Sequence, residues 1–213
     1  SGIRIEELVS RNLKDIDLIT HGSPCQDFSI AGKQAGAEKG SGTRSSLMWC
    51  TVDIVEALKP KFIIWENVKN LLSKKHIHNF NAYLDVLEQL GYNSYFEVLN
   101  AKDFGVPQNR ERVYTISIRK DIDNHNFKFP EKQELKIRLK DVLEATVADK
   151  YYLSDKIIAG FQEHNKNHIE KGTGFIWKTR NPDGVASALR ANAALCPTDN
   201  TINVNEPTLN KCV

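Results

Sequence analysis

The sequence predicts an α/β protein, the second half of a doubly wound sheet followed by a small, irregular region. Three observations lead there. Short apolar runs alternate with segments of helical periodicity over roughly the first 120 residues. Polar clusters stand at the ends of those apolar runs, where doubly wound sheets gather their ligands. Beyond Arg119 the apolar pattern gives way to Asn, Gly, Thr and Pro.

Ile16-Asp17-Leu18-Ile19-Thr20 reads as a strand opening into a polar loop. Leu47, Thr51, Ile54, Val55 and Leu58 share one helical face, and Pro60 marks the stop. Phe62-Ile63-Ile64-Trp65 is a short apolar run before Glu-Asn-Val, as expected of a buried parallel strand. Phe80, Tyr83, Leu84, Leu87 and Leu90 recur at helical spacing before Gly91, a C-terminal stop. Residues 95–99 and 112–118 give two more strands, completing a β-α-β-α-β-β order. Residues 121–129 are polar and those from 130 to 140 charged, which places a domain boundary near residue 121, between units 1–120 and 121–213. In the second unit Val142 and Leu143 end a short helix, and Leu153, Ile157, Ile158 and Phe161 mark another.

Composition narrows the classes. The chain has 213 residues, 40% hydrophobic and 26% charged, enough for one large domain or a domain and a half. With 29 Lys+Arg against 27 Asp+Glu the formal charge is +2, so any surface for a polyanion must be local. Cys25, Cys50, Cys196 and Cys212 form no Cys-x-x-Cys pair and no ligand spacing with histidine, which indicates neither a disulfide framework nor a metal site. Reduced thiols, with no signal peptide and no apolar run long enough to span a bilayer, point to the cytoplasm and away from membranes. His76 and His78, beside Lys74 and Lys75, read as a solvated loop, and His21 as structural.

Three clusters carry the chemistry. Gly22-Ser23-Pro24-Cys25-Gln26-Asp27-Phe28-Ser29 comes first, then Trp65-Glu66-Asn67-Val68. Gln108-Asn109-Arg110-Glu111-Arg112 follows, led in by Asn100-Ala101-Lys102-Asp103-Phe104-Gly105-Val106-Pro107. Each has a plainer reading alone: a buried apolar cysteine, a chance triplet, a solvated basic turn. Pro24 and the polar residues after Cys25 argue against the first, and the ordered conjunction against the rest. In this order the clusters resemble the catalytic half of cytosine-5 DNA methyltransferases of bacterial or phage type, from residue 16 to 119 and more loosely beyond.

The resemblance implies a Rossmann-like methyltransferase sheet, S-adenosyl-L-methionine as cofactor and double-stranded DNA as partner. Cys25 would be the nucleophile. A thiolate adding at C6 of a flipped cytosine makes C5 enamine-like, able to accept a methyl group. A free thiol with a pKa of about 8.5 is mostly protonated at neutral pH, so Cys25 needs nearby positive charge or backbone donors. Glu66 would act at N3 and N4, where burial must keep a proton available to it. Arg112, together with Arg110, would stand near O2. Pro24 and Asn67 would shape the pocket, while Gln26 and Ser29 approach the DNA during flipping. Residues 29–46 would form a mobile lid, with Gly32, Gly36, Gly40 and Gly42 for movement and Lys33, Lys39 and Arg44 for phosphates. Pro24 and Leu47 would keep cofactor contacts. The region after residue 121 would begin the target recognition region, with Lys178, Arg180, Asn181, Arg190 and Asn192 as candidate DNA contacts.

The chain departs from the family where a strand, a glycine turn and a helix should hold the cofactor, and where a closing segment should complete the catalytic part. The expectation is therefore an internal portion of the enzyme. It would be inactive alone and paired at its exposed edge with another copy or with a complementing methyltransferase segment. Two alternatives stand beside this reading: an inactive DNA-binding or assembly module of a split or truncated enzyme, and a transfer-RNA cytosine-5 methyltransferase.

Overall fold

The computed structural model describes residues 15–23, 48–173, 176–189, 201–203 and 210–212. They fall into two compact units, one drawn from Ser1–Leu99 and Glu111–Glu131, the other from Asn100–Arg110 and Lys132–Val213. In chain order the first elements are β1 (Leu18–His21), α1 (Met48–Leu58), β2 (Phe62–Val68), α2 (Ile77–Gln89) and β3 (Tyr92–Asn100). Next come β4 (Gln108–Asn109), β5 (Glu111–Arg119), α3 (Asp155–Glu170), β6 (Thr179–Arg180), β7 (Ala186–Ser187), β8 (Thr201–Asn203) and β9 (Asn210–Cys212).

The first unit is built on a four-stranded sheet in the order β1-β2-β5-β3. β1 runs parallel to β2, whereas β5 is antiparallel to it. Lys120 N–H donates to Gly91 C=O at 2.8 Å and the Ser94 and Ser117 hydroxyls meet at 2.8 Å, so β3 and β5 also run in opposite senses. The sheet is thus mixed, and β2 alternates rather than being buried on both faces. Ile63, Trp65 and Asn67 are each 1% exposed, while Ile64 and Glu66 point to the other side. That alternation decides which side chains can form the site.

Both helices pack on the Trp65 face. α2 buries Phe80, Tyr83 and Leu87 at the predicted spacing, and Gly91 follows with φ of +91°, a left-handed stop. α1 differs from expectation. Its buried stripe is Met48, Trp49, Val52 and Val55, so only Val55 is shared with the predicted face, because Met48 and Trp49 outcompete Thr51 and Leu58 for the core. Leu47 lies outside the described residues. Trp65 sits where the helices meet, with ring centroids 4.5 Å from Tyr83 and 5.9 Å from Phe80. Each fully buried large apolar side chain contributes roughly 1.5–3 kcal/mol by its transfer from water. His76, read as solvated, is buried at the start of α2, and its N–H donates to Ser73 C=O at 2.9 Å, while His78 remains exposed.

The polar segment after Arg119 stays with the sheet for a specific reason. The Asp123 side chain is 1% exposed and accepts from Asn93 Nδ2 at 2.7 Å, Tyr95 OH at 2.7 Å and the His125 N–H at 2.9 Å. A buried carboxylate is tolerated where charge-assisted hydrogen bonds of this kind replace water.

In the second unit, Asn100 closes the excursion between β3 and β5. Its Oδ1 accepts from Arg110 N–H at 3.0 Å and its Nδ2 donates to Asn109 Oδ1 at 2.6 Å. β4 pairs in parallel with β7, and Leu139, Ala186 and Ile202 form a small core. α3 is capped by Ser154, whose Oγ accepts from Ile157 N–H at 3.4 Å. Of the four apolar residues that marked it, Leu153, just before the helix, and Phe161 are buried, the latter against Trp177 at 5.5 Å between ring centroids, while Ile157 is exposed and Ile158 partly buried. Among the described residues no helix is long and apolar enough to cross a membrane.

His21, at the end of β1, is structural. Its ring stacks on Trp65 with 4° between planes, Nε2 lies 3.0 Å from Tyr83 OH, and Nδ1 lies 3.4 Å from Thr51 Oγ1. Burial lowers its pKa to about 4. A base with a depressed folded-state pKa is charged more readily when unfolded. Its contribution is therefore complete above the ordinary pKa of about 6.5 and is lost as pH falls toward about 4, by up to about 3 kcal/mol. Urea unfolding at about pH 7 and about pH 4.5 should show a smaller acid-induced drop for His21→Gln than for the wild type. Equal drops would assign the acid sensitivity to other groups.

Candidate active site

The site grows from the register of β2 and β5. Glu66 faces Tyr114 and Val68 faces Arg112 in the antiparallel ladder. Arg112 is therefore the diagonal neighbour of Glu66 on the same face, within reach of a long side chain. Arg112 Nε meets Glu66 Oε1 at 2.9 Å, and Arg112 Nη1 donates to Glu111 C=O at 2.8 Å. The Glu66 side chain is 34% exposed and that of Arg112 19%, so the pair lies at a rim that water and a ligand can both reach. The Glu111 carboxylate is held elsewhere, by Lys69 Nζ at 2.9 Å. Gly22, just past β1, runs alongside: a Cβ there would stand 3.6 Å from Glu66 Oε2.

On the opposite face, the neighbours of Glu66 hold the start of the Cys25 segment. Trp65 Nε1 donates to Ser23 Oγ at 3.1 Å, and Asn67 Nδ2 donates to the same oxygen at 3.1 Å. Asn67 is 1% exposed, and its Oδ1 accepts from Val68 N–H at 2.8 Å, so the carboxamide is used at both ends. Ser23 was not among the predicted site residues. The signal for it is the alternation of β2: residues 65 and 67 flank Glu66 and must point away from it, toward whatever β1 becomes.

The structure thus brings Glu66 and Arg112 into contact and places Asn67 behind them. Arg110 belongs to the second unit, where its C=O accepts from Ala101 N–H at 3.1 Å. Pro24, Cys25, Gln26, Ser29, Arg44 and Leu47 lie outside the described residues, as do Arg190 and Asn192. Lys178 is exposed and Arg180 partly buried on β6. Asn181 stands in a turn, where its Oδ1 accepts from Asp183 N–H at 2.9 Å. A cavity of about 450 Å³ lined by Leu84, Glu88, Asn93 and Tyr95 contains neither Glu66 nor Arg112 and is not part of this site.

A carboxylate oriented by a guanidinium, next to a strand end that leads into a cysteine, is suited to hold a polar ring edge while a thiol attacks it. Comparison with known proteins identifies the family. A family model for C-5 cytosine-specific DNA methylases matches residues 3–208. The type II methyltransferase M2.ScrFI of Lactococcus lactis subsp. cremoris is 48% identical over 155 residues, 73% of this chain and 42% of the relative. The type II methyltransferase M.HpaII of Haemophilus parainfluenzae is 37% identical over 193 residues, 88% of this chain and 52% of the relative. The chain spans about half the length of the curated relatives it matches. Among solved structures, the Entamoeba histolytica methyltransferase EhMeth superposes with a TM-score of 0.60 at 21% identity, covering 86% of this chain and 52% of that one. A putative DNA modification methyltransferase from an Escherichia coli prophage gives 0.56 at 18%, covering 86% and 65%. At those identities the likeness shows a shared mixed α/β methyltransferase fold. Motif order, strand-end placement and the match over residues 3–208 together make this chain a member of the C-5 cytosine-specific DNA methylase family.

Proposed function

We propose that this chain serves methyl transfer to C5 of a flipped cytosine in double-stranded DNA, in a restriction-modification or related phage setting. The observation that carries the reading is the Glu66–Arg112 pair beside the strand end that runs into Cys25. The Cys25 thiolate adds to C6 and forms a C–S bond, and the displaced electron pair moves through the ring toward C5 and N3. Glu66 holds N3 and N4 and stabilises the ring as charge builds there. Arg112 orients Glu66 and, with Arg110, offers donors to O2. After methylation a base removes the C5 proton, and the C–S electron pair returns to sulfur, releasing Cys25. Gln26, Ser29 and Arg44 are assigned to the DNA, and Pro24 and Asn67 to the pocket wall. The target recognition region is assigned within residues 121–213, to those from Lys132 onward that belong to the second unit. The family model is one of DNA methylases, which favours DNA over transfer RNA.

The family implies S-adenosyl-L-methionine, which supplies an electrophilic methyl group on a sulfonium. The described residues do not form a site for it. Glu66 is assigned to the cytosine ring, and the Asn67 carboxamide is used by Ser23 and Val68. Pro24 and Leu47, assigned here as side contacts, lie outside the described residues. We assign the main cofactor contacts to the part of the enzyme that the relatives have beyond this span.

Duplex DNA carrying 5-fluorocytosine should trap a covalent adduct on Cys25 in the complemented enzyme, since fluorine blocks the final proton removal. Cys25→Ser should abolish both adduct and methyl transfer. Peptide mapping of the adduct to Cys50, Cys196 or Cys212 would refute the assignment.

Glu66→Gln should lose most of its single-turnover rate with DNA affinity retained, because the lost interaction strengthens only as the ring becomes electron-rich. Arg112→Met should lower the rate similarly yet cost about 1 kcal/mol of stability or less, since the partly exposed Glu66 carboxylate can rehydrate. A rate unchanged at saturating DNA and cofactor in either variant would remove that residue from the mechanism.

The 213-residue polypeptide alone should transfer no methyl groups and bind S-adenosyl-L-methionine weakly or not at all. It should self-associate or pair with a complementing methyltransferase segment. Calorimetry and light scattering decide this, and micromolar binding by a monodisperse monomer would be the contrary result.

A further inference from the structure

Ser23 stands two residues before Cys25 and has no part in the chemistry assigned above. Its hydroxyl oxygen receives two donors from one strand, Trp65 Nε1 at 3.1 Å and Asn67 Nδ2 at 3.1 Å, and Asn67 Nδ2 also approaches the Ser23 C=O at 3.4 Å. Trp65 and Asn67 are each 1% exposed, so water cannot readily substitute if the serine oxygen is lost. A hydroxyl has two acceptor lone pairs. Both are taken, which fixes the side chain and the backbone that carries it.

The donors are the two neighbours of Glu66, and in a pleated strand they face away from it. The root of the Cys25 segment is therefore tied to the same short stretch of β2 that presents the carboxylate. Two residues of extended chain span at most ~7 Å, so a displacement at Ser23 passes to Cys25 with little slack to absorb it.

We propose that Ser23 is a positioning residue for methyl transfer: through Trp65 and Asn67 it sets the register of the Cys25 segment against Glu66. This rests on the cytosine-methylation reading, and the test separates the two. The readouts are the single-turnover rate of adduct formation on 5-fluorocytosine DNA by the complemented enzyme, its DNA affinity, and its melting temperature.

Ser23→Ala should slow adduct formation on the order of 10- to 100-fold, the scale of a misplaced reacting group, with DNA affinity unchanged and the assay run well below the melting temperature. Ser23→Thr, which keeps the acceptor oxygen, should recover most of the rate. Trp65→Phe, which removes the indole N–H and leaves the Asn67 bond, should reproduce part of the loss, and combining it with Ser23→Ala should add little because the serine change already breaks the bond to Trp65. If Trp65→Phe does not fold, the two Ser23 variants decide. A wild-type rate in Ser23→Ala, or a loss that Ser23→Thr does not recover, overturns the inference alone. No adduct with the unmutated protein overturns the methylation reading and this inference with it.

Discussion

The burial of a single indole ties the core of the first unit to its chemistry. Trp65 stacks between His21 and the aromatic residues of α2, and that packing determines which way β2 faces. Once residue 65 points into the core, residue 66 must point out, toward Arg112, and residue 67 must point in again. The same ring then spends its only polar atom on Ser23. Hydrophobic burial and the placement of the carboxylate are thus one constraint. A side chain at position 65 that packed as well but lacked the N–H would keep the sheet and leave Ser23 held by Asn67 alone.

Electrostatics is layered around that point. The face behind Glu66 is dry and neutral: burial pushes the Tyr83 phenol well above its ordinary range and holds His21 well below. The face in front is wet and charged, carrying the Glu66–Arg112 pair, and a second exposed pair, Lys69–Glu111, stands at the strand ends. Exposed pairs of this kind contribute little to stability, about 1 kcal/mol or less each. Their worth lies in orientation, and the dry layer behind supplies the rigidity that makes the orientation reproducible.

Much of this was legible in the residues. The α2 stripe, the Gly91 stop and the strand before Glu66 followed from periodicity, and the three clusters in their order pointed to the family before any contact was known. What was not legible depended on partners distant in sequence. The buried stripe of α1 turned toward Met48 and Trp49 because the Trp49 ring meets Tyr83 of α2 at 6.3 Å between centroids, a contact that a helical wheel does not show. The antiparallel entry of β5 set the diagonal between Glu66 and Arg112, and no local pattern announces strand direction. Ser23 was overlooked because its role consists entirely of bonds to residues more than 40 positions away.

Residues 100–110 leave the sheet and return beside their starting point. At the neck, Ala101 N–H donates to Arg110 C=O at 3.1 Å and Asn100 Oδ1 accepts the Arg110 N–H at 3.0 Å. The excursion is therefore a closed ring in which the loop's length is uncoupled from the separation of its ends. Lengthening such a loop costs only about 0.6 kcal/mol for each doubling. The spacing of the strands that carry Glu66 and Arg112 is thus set at the neck and not by the path between. The path answers to other partners: Pro107 C=O accepts from Ala186 N–H at 2.8 Å and Asp103 C=O from Gln133 N–H at 2.8 Å, so what holds its shape lies downstream in the chain.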